Sequence, residues 1–353
     1  MVELIARVPD DHHPWQSVFL AAGREDFGAW RADGPRFEWR HGSHHLFLDL
    51  PDGTPLRFVL TRDHWRNAEV AGDGREHLPR ELVARPGLRY EMSVAGWGRT
   101  SVHYHHDFAS RFLPHSRTLS VWLPPGYDHD GDTRYPVLYL HDGQNLFDAH
   151  TAFAGVPWQC DETTEQAVRN GWCAPVILVG VANTQDRLRE YGPRPESDDD
   201  LSWAYGSFLT QEVKPFIDAE YRTLAGPENA GVGGASMGGL ISLVLCERYS
   251  DHFGLCAAMS PSLWWDDERL IRDTAAGDSR LSACRVWVDV GAKEGHSAAG
   301  MAANVGRARR LAELLAGRSR GGVAFAEDPD GHHNEHAWGG RFGDVLKFLF
   351  PAG

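Results

Sequence analysis

Cysteine is scarce and unpatterned in this 353-residue chain: Cys160, Cys173, Cys246, Cys256 and Cys284 are scattered, odd in number and without a C-x-x-C pair. A disulfide framework and a cysteine-based zinc site are therefore excluded as organising features, and reduced thiols lead to the expectation of a cytoplasmic protein. Long apolar runs are also missing. No stretch reaches the roughly 18 residues that a membrane helix needs, so no span is expected. The opening MVELIARVPDDHHPW lacks a basic segment followed by an apolar one, so no signal peptide is expected. Positive charge is in deficit: 35 Lys and Arg stand against 49 Asp and Glu, a net charge of −14 with His neutral. That balance disfavours nucleic acid or an anionic membrane surface as a partner. Internal repeats and low-complexity segments are absent, and nothing in the residue order reports an oligomeric state.

What is present is an ordinary globular composition, 42% apolar and 24% charged. The length exceeds the ~250–300 residues at which single cores stop growing, so two domains are expected. Thirteen Trp suit sugar- or aryl-binding surfaces, although each is equally a large core residue. Residues 1–100 carry short apolar runs such as His45–Leu50 and Leu56–Leu60, broken by the turn signals Pro51-Asp52-Gly53 and Gly72-Asp73-Gly74. A small antiparallel β-sandwich follows. Residues 101–116 read as a joining segment. From 117 to 353, strands alternate with helices. Strands are predicted at Thr118–Leu123, Pro136–Leu140, Pro175–Val181, Ala230–Gly233, Leu255–Met259, Cys284–Val290 and Gly322–Ala326. Helices are predicted at Glu162–Asn170, Ser207–Glu220, Met237–Tyr249, Gly300–Ala316 and Ala337–Leu349. Runs such as Val137-Leu138-Tyr139-Leu140 are continuously apolar, as strands buried on both faces are, which gives an α/β domain with a mostly parallel sheet covered by helices.

Within that domain Gly234-x-Ser236-x-Gly238 lies between an apolar strand and a strong helix former, Leu240–Leu245. A sharp strand-to-helix turn strains the Ser backbone and demands small neighbours two residues away on either side. It lifts Ser236 to a helix N-terminus, where the Met237 N–H can face a developing oxyanion. A serine nucleophile needs a base, usually oriented by an acid, and after such an elbow the chain order is acid, then His. The base is expected between the last strand and last helix, where His332, His333 and His336 compete. The same three His with nearby acids admit a zinc site, but their spacing is not the helical H-E-x-x-H pattern, so no metal and no other cofactor is expected. For the acid, Glu294 lies past a strand end and is favoured over Asp289, which sits inside the strand; a Ser–His dyad is a further possibility. Gly143 permits a tight turn after Leu140, and the Gln144 amide can then face the oxyanion, though the polar side chains there equally suit a hydrogen-bonded turn.

These pieces together resemble the putative-esterase family that holds enterochelin esterases and esterase-D-like hydrolases. The matching stretches are LPPGY at 123–127, LYLHDGQNLFD at 138–148, GGASMGG at 233–239, SPSLWW at 260–265, DVGAKEG at 289–295 and HHNEHAW at 332–338. The resemblance implies an α/β-hydrolase fold and hydrolysis of carboxylic esters. It maps the catalytic His onto His333, five residues before Trp338, fits Glu294 as the acid, and puts Gln144 at the oxyanion position. Arg187-Leu188-Arg189-Glu190-Tyr191 resembles the Arg-x-x-Glu-Tyr segment of the enterochelin branch, which cleaves a tricatecholate trilactone inside the cell. Arg187 and Arg189 could there hold an anionic catecholate or carboxylate, or simply link a loop by salt bridges. Trp264 and Trp265 could wall an aryl or acyl pocket, or be core. The N-terminal part resembles the Ig-like sandwich of carbohydrate-binding modules through Phe58–Trp65, with Asp63 and His64 departing from the pattern, and enterochelin esterases also carry an N-terminal β-domain. The expectation is thus a serine esterase acting on a small-molecule ester through an acyl-enzyme. A glycan-binding protein and an acyltransferase on the same fold are the alternatives.

Overall fold

The computed structural model describes residues 1–8, 17–27, 30–31, 34–62, 68–72, 77–97, 102–127, 131–149, 151–277 and 279–352. It divides the chain into two compact units, Met1–His105 and His106–Gly353.

The first unit is all-β. One sheet runs Glu38–Arg40, Ser43–Leu48, Val2–Arg7, Arg89–Ser93, and another Phe19–Ala22, Pro55–Thr61, Arg80–Val83. Alternation makes the core: Val2, Leu4 and Ala6 from one sheet meet Leu20, Ala22, Leu56, Phe58 and Leu60 from the other. The turn expected at Pro51-Asp52-Gly53 is there, with Gly53 at φ 76. Asp63, His64 and Trp65 of the carbohydrate-module-like stretch, and Asp73 and Gly74 of the second turn signal, lie outside the described residues.

The large sheet has eight strands, the first of which starts at the end of the first unit and the rest of which lie in the second: β1 (Val102–Phe108), β2 (Arg117–Trp122), β3 (Val137–His141), β4 (Ile177–Val181), β5 (Ala230–Ala235), β6 (Leu255–Met259), β7 (Arg285–Gly291) and β8 (Val323–Asp328). Their spatial order is β1-β2-β4-β3-β5-β6-β7-β8. From β4 to β8 every pairing is parallel, and β2 runs antiparallel to β4. This is the α/β-hydrolase fold. β3 to β6 are buried at every position, which is why their sequences are unbroken apolar or small runs. The stretch 101–116, read as a joining segment, carries β1; its sequence VHYHHDF has His or Asp at four of seven positions and is only partly buried.

The helices are α1 (Cys160–Arg169), α2 (Arg187–Tyr191), α3 (Ser202–Phe208), α4 (Lys214–Glu220), α5 (Met237–Arg248), α6 (Trp265–Ala276), α7 (Ala298–Ala316) and α8 (Glu335–Leu349). A π-helical segment, Leu209–Val213, joins α3 to α4 immediately before Pro215, whose ring and missing N–H cannot fit a regular α-helical ladder. α5 is buried from Met237 through Cys246 and packs on β5 and β6, the centre of a core that includes Val179, Val232, Leu243, Leu245, Phe253 and Val288. Helices α2 and α6 have no counterpart in the residue pattern, and the helix expected at Ser207–Glu220 is the end of α3, the π-helical segment and α4, with most of α3 lying before it. Parallel strands point their C-terminal ends one way, so the loops after β3, β4, β5, β6, β7 and β8 gather along one edge of the sheet.

Candidate active site

The β5–α5 junction supplies a strained serine. Ser236 stands at the N-cap of α5 with φ 58 and ψ −120, outside the left-handed well that Asn or Asp tolerate. The tightness explains its neighbours. A Cβ on Gly234 would lie 3.0 Å from the carbonyl carbon of Gly238, and one on Gly239 would lie 2.8 Å from the Met259 carbonyl oxygen. The Ser236 N–H continues the β5–β6 ladder by donating to that Met259 oxygen at 3.1 Å.

His333 arrives on the loop between β8 and α8. Asn334 caps α8 by accepting from Ala337 N at 3.0 Å, and the His333 ring stands edge-on to Trp338, centroids 5.0 Å apart. Its Nε2 is 2.9 Å from Ser236 Oγ, and its Nδ1 is 2.9 Å from Glu294 Oε2. Glu294 is buried on the loop after β7, where its Oε1 accepts from Gly291 N at 2.8 Å and Ser260 Oγ at 2.5 Å. Burial pushes the Glu294 carboxyl up; the hydrogen bonds from His333 and Ser260 outweigh it, and the net direction is down, so the group stays charged. A charged Glu294 accepts a hydrogen bond from Nδ1–H, which keeps the ring proton on Nδ1 and leaves the Nε2 lone pair facing the Ser236 hydroxyl.

Asp289 has other company. It is fully buried in β7, with Oδ1 accepting from Arg341 Nη2 at 3.0 Å and Ser260 N at 3.1 Å, and Oδ2 from Trp287 Nε1 at 2.9 Å. The side chains of His332 and His336 are exposed, and Ser236 Oγ meets His333 and Ser262. Among the described residues no three His, Cys, Asp or Glu side chains form a group able to hold a metal ion.

Two backbone amides are candidates for the oxyanion. Met237 opens α5, and Gln144 lies in the 3-10 turn Gly143–Asn145 directly after β3. N–H groups in a first helical turn have no intrahelical acceptor. β3 and β5 are neighbours with Leu140 opposite Gly233, so both turns leave the same sheet edge. A Cβ on Gly143 would sit 2.5 Å from the Gly180 carbonyl carbon and the Val181 nitrogen, so only glycine lets this loop press onto β4. The Gln144 side chain accepts from Asn183 N at 3.1 Å, and its carbonyl accepts from Thr151 Oγ1 at 2.7 Å. Behind the loop, burial lowers the His141 imidazole to about 3, so it stays neutral, with Nδ1 2.8 Å from Tyr205 OH.

Arg187 and Arg189 have intramolecular partners. Arg187 grips Asp142 with two bonds of 2.7 Å, and Asn183 Nδ2 donates to the same carboxylate at 2.6 Å. Arg189 pairs with Asp186 at 2.9 Å and Asp199 at 2.6 Å. The two tryptophans part ways. Trp265 donates to the Pro193 carbonyl at 3.0 Å beneath the Arg194 guanidinium, whereas Trp264 is 53% exposed and lines a small recess of about 20 Å³ with Ser262, Glu294, Arg307 and His333. A larger cavity of about 310 Å³ lies between α5 and α6, lined by Leu240, Val244, Arg248 and Trp265, away from Ser236. Ser260, Ser262 and Arg341 were missed from sequence. For Ser260 and Ser262 the signal was present in SPSLWW at 260–265, of which only the Trp pair was used.

The model of a family described as "Putative esterase" matches residues 110–349. Uncharacterized protein YbbA of Bacillus subtilis is 27% identical over 188 residues, covering 51% of this chain and 70% of that protein. The iron(III) salmochelin esterase of Escherichia coli O6:H1 is 28% identical over 161 residues, 44% of this chain but 35% of that protein. The enterobactin esterase FES from Shigella flexneri, solved with 2,3-di-hydroxy-N-benzoyl-glycine, superposes with a TM-score of 0.56 at 15% identity, covering 96% of this chain and 89% of its own.

Proposed function

The chain belongs to the putative-esterase family and is a carboxylic-ester hydrolase, and on that premise we propose that Ser236, His333 and Glu294 carry the reaction through an acyl-enzyme. The observation that supports this best is the continuous pair of 2.9 Å contacts, Ser236 Oγ to His333 Nε2 and His333 Nδ1 to Glu294 Oε2. Ser236 Oγ attacks the ester carbonyl while His333 Nε2 takes its proton. Glu294 stabilises the resulting imidazolium. The amides of Met237 and Gln144 receive the oxyanion, each donor contributing about 3–4 kcal/mol to the transition state. His333 returns the proton to the departing alcohol. Water then repeats the sequence on the acyl-enzyme and releases the acid.

The substrate we favour is an aryl or acyl ester of the siderophore type, supported by the names of the salmochelin and enterobactin esterases to which the chain is similar. A cytoplasmic site of action is part of the same reading; all five cysteines are buried free thiols, and among the described residues no helix is long and apolar enough to cross a membrane. The test is hydrolysis of p-nitrophenyl butyrate and a catecholate trilactone by the pure chain and by Ser236→Ala. Turnover by the parent and none by the variant is expected; full activity in Ser236→Ala rejects the assignment.

A further inference from the structure

We infer that Ser262 is a second hydroxyl acting on the nucleophilic oxygen, donating a hydrogen bond to Ser236 Oγ and stabilising the charge that gathers there when Ser236 departs from the acyl-enzyme. The inference rests on the esterase reading above and adds a residue to it.

Backbone templating puts this side chain in place. After β6 the chain turns at Ser260, whose φ is 41, and Leu263 N closes the turn onto the Pro261 carbonyl at 2.7 Å. Ser262 N donates to the Ser236 carbonyl at 3.0 Å, just as Ser236 N donates to Met259 O at 3.1 Å. These two bonds extend the β5–β6 ladder beyond the strands and lock the Cα of residue 262 beside that of the nucleophile. Gly239 is what lets the turn come so near, since a Cβ there would be 3.2 Å from Pro261 Cα. The Ser262 side chain is 3% exposed, and its Oγ lies 3.3 Å from Ser236 Oγ.

Counting protons gives the direction of that contact. A hydroxyl has one proton to donate and two lone pairs. Glu294 is held charged, so His333 carries its proton on Nδ1 and accepts on Nε2. Ser236 therefore gives its only proton to His333. The remaining contact on its oxygen is satisfied only if Ser262 donates.

A donor aimed at this oxygen matters most when the oxygen is most negative. In deacylation, water loses a proton to His333 Nε2 and its oxygen bonds to the acyl carbon. The tetrahedral intermediate then collapses: the bond from carbon to Ser236 Oγ breaks, its electron pair stays on Oγ, and His333 returns a proton to it. Ser262 gains and loses nothing; its hydrogen bond shortens as the charge builds. In acylation the leaving group is the substrate's alcohol. With a good leaving group such as p-nitrophenolate that step has little need of the extra donor.

The experiment is pre-steady-state hydrolysis of p-nitrophenyl acetate by the full chain, Ser262→Ala and Ser262→Thr, with mass spectrometry of acid-quenched protein. Ser262→Ala should lower the steady-state rate by about 5–20-fold and raise the fraction of trapped acyl-enzyme, showing a p-nitrophenol burst near one equivalent. Its melting temperature should be unchanged, because among the described residues Ser262 Oγ bonds to no buried group other than Ser236. Ser262→Thr keeps the hydroxyl and should restore the parent's partitioning. The parent with Ser236→Ala alongside reads the nucleophile by itself. If Ser236 proves essential while Ser262→Ala matches the parent within twofold in rate and acyl-enzyme occupancy, the role of Ser262 is overturned and that of Ser236 stands. Acyl-enzyme accumulation in Ser262→Thr equal to that in Ser262→Ala, with both melting normally, overturns it as well.

Discussion

Replacing Arg341 by Met separates what supports the site from what performs its chemistry. Arg341 is 9% exposed and holds Asp289 Oδ1 at 3.0 Å, Ser260 Oγ at 2.8 Å and Asp328 Oδ2 at 3.3 Å. Methionine fills similar volume without charge and leaves Asp289, fully buried, with no cation. Stranding one member of a buried pair costs about 3–5 kcal/mol. Two features trim that figure. Asp289 keeps Trp287 Nε1 and the Ser260 N–H, and the buried Arg341 Nε has no acceptor among the described residues. The lower end, about 3 kcal/mol, corresponds to a fall of roughly 6–12 °C in Tm for a unit of this size. Glu294 loses only its longer ion pair to Arg341 Nη2 at 3.6 Å and keeps His333, Gly291 and Ser260, so kcat below the transition should fall less than about tenfold. Scanning calorimetry, followed in parallel by activity after heating, reads both. The double variant Arg341→Met/Asp289→Asn removes the stranded charge and should recover about half the loss. A single variant melting within 2 °C of the parent, or a double variant no better than the single, refutes the reasoning.

Two other outcomes follow from the same geometry. Glu294→Gln keeps the shape but loses the charge that the proposed mechanism sets against the imidazolium, and kcat should drop by about 10²-fold or more. Because the Glu294 carboxyl is held below its ordinary value of 4.5, its contribution to stability is present above that pH and lost as pH falls through the folded value. The difference in urea midpoint between parent and Glu294→Gln should accordingly be flat above about pH 5 and shrink below it; a gap that widens on acidification contradicts the assignment. Arg187→Met should lower kcat for neutral p-nitrophenyl acetate by about 5–30-fold with little change in KM, since Arg187 braces Asp142 at the start of the Gly143–Asn145 turn, whose Gln144 amide we propose as an oxyanion donor. A rise in KM confined to anionic esters would instead make Arg187 a substrate clamp.

How much of this was legible beforehand depended on whether a residue's role leaves a local mark. The elbow does, because a strained serine calls for small neighbours, and Gly234 meets that demand while a Cβ on Gly238 would touch only side-chain atoms at 3.3 Å and beyond; the family resemblance, through the five-residue spacing to Trp338, singled out His333. Glu294 was readable as an acid just past a strand end. Arg341 was not, because it acts through contacts across 81 and 52 positions, to Ser260 and Asp289, which no short window contains, whereas Ser260 and Ser262 sit inside the SPSLWW stretch and only their roles stayed hidden. β1 escaped because an edge strand with histidines at half-buried positions lacks the apolar run that marked β3. Trp264 and Trp265 are adjacent letters with opposite environments, and only the turn of α6 separates the exposed ring from the packed one.

The backbone twist at residue 236 sets endurance against usefulness. A glycine would rest there unforced, whereas the hydroxyl-bearing residue holds its contorted pose at about 1–3 kcal/mol. Exchanging Ser236 for glycine would therefore trade the hydroxyl for a sturdier chain.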